Sequence, residues 1–191
     1  MSARKLSSVL ALMMIAASSL LAQVPRKSAE FTIVKPSGEQ ILLSSFKGKV
    51  VVIEFLFVNS PHCIQLAQML DRLQGDLGSR GFQAVGVAFG QRSDQAMVGH
   101  VADRLKLNYP LAYSTAADVD AYLDRKGSEK LKIPQMVVID RKGMIRSSTG
   151  TGNPTLENET LLRVVLEPLL KEPLPGSAAH SAPTIKKNGQ S

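Results

Sequence analysis

Hydrophobic positions along the chain change their spacing several times, and each change marks an element. Phe31-Thr32-Ile33-Val34 and Gln40-Ile41-Leu42-Leu43 are short strand signals either side of Pro36-Ser37-Gly38-Glu39, a turn sequence. A polar loop, Ser44 to Lys49, leads into Val50 to Phe57, which is β-branched and aromatic almost throughout and is broken by Glu54. Such a run predicts a central strand covered on both faces. Cys63, Leu66, Leu70, Leu73 and Leu77 then recur at intervals of three and four, the mark of a helix with one buried stripe. Ser60 suits its N-cap and Pro61 its first position, while Gly78 and Gly81 punctuate its end.

Phe82 to Phe89 reads as a second apolar strand, Ser93 to Leu105 as a helix, Tyr109 to Tyr113 as a short strand or extended loop, and Ala116 to Leu123 as a short helix. Met136 to Ile139 and Met144 to Ser148 predict a hairpin turning at Asp140-Arg141-Lys142-Gly143. Thr155 to Leu170 predicts a last helix, with Leu156, Leu161, Leu162, Val165 and Leu169 available for one face and Pro168 troubling its final turn. Strands alternating with helices indicate an α/β fold, and the closing hairpin implies a mixed central sheet flanked by helices.

The two ends differ from this pattern. Residues 1–22 read as a secretory signal, with Arg4 and Lys5 ahead of an uncharged run from Val9 to Ala22. The run is shorter than the ~20 residues a spanning helix needs. A cut after Ala22 fits the small-residue rule at the last position, although Leu20 two residues earlier fits it poorly; the alternative is an uncleaved N-terminal anchor, the one expected link to a membrane. Residues 29–172 form the expected domain. Residues 173–191, rich in Pro, Ser, Gly and Ala, read as a disordered tail.

Composition narrows the function classes. With 44% hydrophobic and 20% charged residues among 191, the chain has a globular balance. The formal charge is +7, but the basic residues are scattered, without blocks or interleaved aromatics, so no nucleic-acid surface is expected. A single cysteine excludes an internal disulfide. His62 and Cys63 are adjacent while His100 and His180 are remote, which leaves no metal-ligand spacing, and no cofactor is implied.

Candidate chemistry gathers at Ser60-Pro61-His62-Cys63. A thiol in the first turn of a helix meets unsatisfied N–H groups and partial positive charge, both of which favour thiolate, and a protonated His62 adds to them. Burial in the apolar stripe acts the other way. Position alone leaves open a reactive thiol or a packed small hydrophobe.

The stretch Val50 to Cys63, together with the lead-in Phe46-Lys47-Gly48-Lys49, resembles the active-site strand and loop of thioredoxin-like proteins, especially TlpA-type exported thiol–disulfide oxidoreductases and redoxin (AhpC/TSA-like) domains. Lys132-Ile133-Pro134-Gln135-Met136-Val137-Val138-Ile139 is similar to the segment that carries that family's cis-proline. The resemblance covers roughly Phe31 to Leu170. It implies a thioredoxin-like fold with an N-terminal hairpin and a βα insertion before the cis-proline, and a substrate-binding role for Ile133 and Pro134. At the family's Cys-x-x-Cys motif, Ser60 replaces the attacking cysteine and Cys63 matches the resolving one, so two-thiol exchange within the chain is unavailable. Glu54 stands where thioredoxin carries a buried acid that takes a proton from the resolving cysteine; the alternative is a solvated Glu54 at a bend. The motif also imitates the peroxiredoxin Thr-x-x-Cys, although Leu56 and Pro134 replace residues expected to help polarise peroxide.

Two functions follow. One is an exported redox protein with a single thiol, with Cys63, Ser60, His62 and Glu54 as catalytic candidates and an external thiol or disulfide protein, or peroxide, as partner. The other is a redox-inactive module that holds an extended peptide or partner protein.

Overall fold

A computed structural model describes residues 25–90, 94–125, 131–149 and 154–175. Among these, eight strands form one sheet: β1 (Arg26–Lys27), β2 (Thr32–Val34), β3 (Gln40–Leu42), β4 (Val50–Leu56), β5 (Phe82–Ala88), β6 (Leu111–Tyr113), β7 (Gln135–Ile139) and β8 (Met144–Ser148). Four helices accompany them: α1 (Pro61–Leu77), α2 (Gln95–Leu105), α3 (Ala116–Tyr122) and α4 (Glu159–Lys171). The strand order is β1-β8-β7-β4-β5-β6-β2-β3. β4, β5 and β6 run parallel, while the other pairings, including β2 with β3, are antiparallel. The sheet is therefore mixed, as the closing hairpin implied.

β4 is buried at every position because both of its faces are covered. Val50 and Val52 join Leu66, Leu70 and Leu73 of α1 and Leu162 and Leu166 of α4 in one core. Val51, Ile53 and Phe55 point the other way, into a second core with Phe31, Val119 and Tyr122. A third cluster closes the end of the sheet where β4 and β5 finish, and it contains Leu56, Val58, Cys63, Ala88, Val98, Val101 and Leu111. Each fully buried leucine in these layers is worth about 1.5–3 kcal/mol relative to exposure.

The last helix starts later than its hydrophobic spacing suggests. Pro154–Glu157 forms a 3-10 turn, and Asn158 caps α4 by accepting the Leu161 N–H at 3.1 Å. Leu156 thus packs from the turn, Leu161 is 46% exposed, and Leu166 and Leu170 complete the buried stripe. Pro168 does not end α4, which runs on to Lys171. The carbonyl its missing N–H leaves without a donor belongs to Val164, on the solvent face of the helix. Likewise α2 begins at Gln95 with Asp94 as its cap, accepting from Met97 N–H at 2.8 Å, and Ser93 lies outside the described residues.

Two features had no clear hydrophobic signature. β1 pairs Arg26 with Ile145 and Lys27 with Met144, and Ser28 Oγ lies 2.9 Å from Tyr122 Oη. Arg141, read as a turn residue, is buried and donates to the carbonyls of Gly48 at 2.8 Å, Arg80 at 2.9 Å and Leu170 at 2.9 Å. Gly81 makes room for it: its φ is +93°, and a Cβ there would stand 2.9 Å from Arg141 Nη1. No helix among the described residues is long and apolar enough to cross a membrane. The signal expected over residues 1–22 and residues 176–191 of the expected tail lie outside the described residues.

Candidate functional site

β4 delivers the chain to Phe57, Val58 and Asn59, and Ser60 then caps α1. Its Oγ accepts the Cys63 N–H at 3.4 Å, and its carbonyl accepts the Ile64 N–H at 3.1 Å. Pro61, with its fixed φ and no N–H, suits the first position of the helix. The stripe that begins with Cys63 turns inward, so the thiol is fully buried among Leu56, Val58, Val98 and Leu111.

The competition left open by position is decided by this packing. Burial pushes the Cys63 thiol above its ordinary value; hydrogen bonding with the Ser60 side chain, with the backbone at Phe57 and with its own backbone pulls the other way, and the charge of Glu54 adds to the rise. The net direction is upward, so the protonated thiol is favoured relative to an exposed cysteine.

Glu54 is not solvated at a bend. It sits mid-strand at 0% exposure, opposite Gly86 of β5 and Met136 of β7. Alternation along β4 places it on the α1 face with Val52 and Leu56. Neither carboxylate oxygen has a hydrogen-bond partner among the described residues. Burial raises its pKa well above the ordinary carboxylate range, which favours the neutral acid. A neighbour that sequence reasoning missed, Tyr109, feels the charge of Glu54 and donates its hydroxyl to the Ala67 carbonyl of α1 at 3.0 Å.

His62 is drawn away from the thiol. Its side chain is half exposed, and Nε2 lies 3.4 Å from Glu157 Oε2, in the turn before α4. That partner too was invisible in the sequence, being remote along the chain. The Ile133–Pro134 bond is cis, and the pairing of Gln135 with Phe55 sets Pro134 level with the end of β4. Pro134 is buried, and Ile133 packs against the cluster that holds Cys63. Gln135 Nε2 donates to the Lys132 carbonyl at 2.6 Å and ties this loop to its strand.

The fold thus brings Ser60, Cys63, Ile133 and Pro134 to one end of the sheet, keeps Glu54 inside β4 short of that end, and turns His62 to the surface. No group of three or more His, Cys, Asp or Glu side chains could hold a metal among the described residues.

A thiol:disulfide interchange protein of the thioredoxin family from Chlorobium tepidum is similar, with a TM-score of 0.64 and 21% identity over 76% of this chain and 97% of that one. The thioredoxin domain of a thiol-disulfide oxidoreductase from Bacteroides vulgatus gives 0.61 and 19% identity over 75% and 96%. A thiol:disulfide interchange protein from a Bacteroides species gives 0.62 and 18% over 82% and 94%. At these identities the likeness establishes a thioredoxin-like fold. No curated protein matches the chain. The model of the AhpC/TSA family matches residues 24–148, and the chain belongs to that family.

Proposed function

We propose that this chain is an exported redox protein that works with one thiol, Cys63, and with external partners. The observation that carries the reading is a lone thiol in the first turn of α1 that feels the charge of a buried carboxyl, Glu54, which has no hydrogen-bond partner among the described residues. A buried acid left unpartnered is costly to the fold, and a proton relay is a reason to keep it. Export is supported by the basic and apolar pattern of residues 1–22.

The thiol is sealed from bulky partners, which favours a small oxidant such as a peroxide. The raised pKa makes Glu54, in its ionised fraction, a base strong enough to take the Cys63 proton; the sulfur then attacks one peroxide oxygen, the O–O bond breaks, and the departing hydroxide takes that proton from Glu54 to leave as water. Cys63 is then a sulfenic acid. A small external thiol, the kind that can reach the buried sulfur, displaces its hydroxyl as water and forms a mixed disulfide. A second external thiol attacks that bond, which restores Cys63 and releases an external disulfide. Ser60, in the place where exchange enzymes carry their attacking cysteine, contributes a hydrogen bond that favours the thiolate. The test is consumption of peroxide in the presence of a small thiol; the wild type should turn over and Cys63→Ala should not, and equal rates sink the proposal.

Full burial of Cys63 and its raised pKa favour a second reading, a binding module that uses the Ile133–Pro134 loop for an extended peptide. Peptide binding that is the same in the wild type and Pro134→Ala removes it.

A further inference from the structure

Residue 86 is the one position of β5 without a side chain, and it lies directly opposite Glu54. Paired positions of neighbouring strands share a face, so the volume beside the carboxyl must be filled by other residues. A Cβ at Gly86 would stand 2.7 Å from Leu111 Cδ1, 3.5 Å from Tyr109 Cε2 and 3.6 Å from Leu56 Cδ2. These three side chains lean into the notch. Tyr109 is held there from both ends: its hydroxyl donates to Ala67 of α1 at 3.0 Å, and the adjoining Pro110 carbonyl accepts the Gly86 N–H at 3.0 Å. The ring is 6% exposed and belongs to the core that also contains Val52, Leu66, Leu70 and Met136.

We propose that Tyr109 is a positioning residue for Glu54: its ring, seated in the notch left by Gly86 and tied to α1 at Ala67, shuts water and counter-charge away from the Glu54 carboxyl. The seal rests on packing alone; its use in catalysis rests on the redox reading of Cys63.

The surroundings hold no competing cation among the described residues. α1 contributes Cys63, and its Asp71 acts on Tyr109 while accepting from Asn108 N–H at 2.6 Å. β5 contributes Gly86, β7 contributes Met136, and α4 contributes the apolar Leu162 and Leu166. Removing the ring opens the notch towards water, and water favours the carboxylate, so Glu54 should ionise at lower pH.

The test is a pH titration of the Glu54 carboxyl by NMR in the full chain labelled at glutamate carboxyl carbons, with the signal assigned through Glu54→Gln. In the wild type Glu54 should titrate above the other glutamates. Tyr109→Ala should move its midpoint down by about one pH unit or more, about a tenfold change in acidity. Tyr109→Leu, smaller but apolar, should move it less, and it is the variant to read if the alanine chain does not fold. A purely structural role would lower the melting temperature and leave the midpoint in place. An unchanged midpoint in a folded variant overturns the proposal. A midpoint that falls while peroxide turnover is absent from every chain removes the redox reading and leaves the seal standing.

Discussion

The Ser60 hydroxyl accepts the backbone N–H of Cys63 at 3.4 Å, so the serine that replaces a cysteine of the family motif is also the cap of the helix that carries the remaining one. Two effects follow for Ser60→Ala. Loss of the cap should cost about 0.5–1 kcal/mol, the low end for caps because the bond is long. Loss of the hydrogen bond that favours the thiolate should slow Cys63 alkylation at fixed pH. Chemical denaturation and alkylation rates read the two effects separately.

Ser60→Cys should restore a Cys-x-x-Cys pair at the start of α1. Because the Ile133–Pro134 loop already lies at this end of the sheet, the variant should reduce a disulfide substrate that the wild type leaves intact. A variant that folds and remains inactive shows that more than one cysteine separates this chain from exchange enzymes.

Cys63 should react slowly with a small alkylating reagent near neutral pH. Its thiol is displaced upward from an ordinary value of 9.0, so the rate should climb with pH and keep climbing past the range where an exposed cysteine levels off. A profile that levels off at or below that range contradicts the burial argument.

Glu54→Leu should trade function for stability. At neutral pH the variant should be more stable by roughly 1–3 kcal/mol, since it removes a buried acid with no hydrogen-bond partner among the described residues. The folded-state pKa of Glu54 is raised, so the unfolded chain releases its proton first as pH rises. Wild-type stability therefore falls from about pH 4.5 upward, through the folded-state value, relative to the variant. Below pH 4.5 the gap should narrow. Urea denaturation at several pH values measures this, and peroxide turnover in the variant should drop.

Arg141→Met should destabilise the fold by roughly 2–4 kcal/mol, because three carbonyls from three segments lose one shared donor. Thiol chemistry should be unaffected under native conditions, since Arg141 follows the opposite end of β7 from Pro134. A change of less than about 0.5 kcal/mol contradicts the assigned role.

The central strand and α1 were readable from spacing because burial on both faces of β4 and on one stripe of α1 leaves a strong period, and Ser60, Pro61 and Gly78 mark the helix ends. β1 was not, since two residues carry no period and Arg26 and Lys27 are polar edge residues. The start of α4 was misplaced because Leu156 packs equally well from a 3-10 turn. At the site, the sequence located the thiol and the acid but could not weigh burial against the helix N-terminus. It also could not find Tyr109, whose closeness to Glu54 depends on a missing side chain at Gly86 across the sheet. Adjacency alone suggests His62 as a neighbour of the thiol, yet consecutive helical residues face different directions, and Glu157 claims it.

Whether Cys63 carries redox chemistry can be read from the mass of the peptide that contains it. After brief exposure of the folded protein to peroxide, Cys63 should carry one added oxygen, and an external thiol should remove it. Cys63 recovered unmodified while peroxide persists, in protein shown to be folded, contradicts the claim.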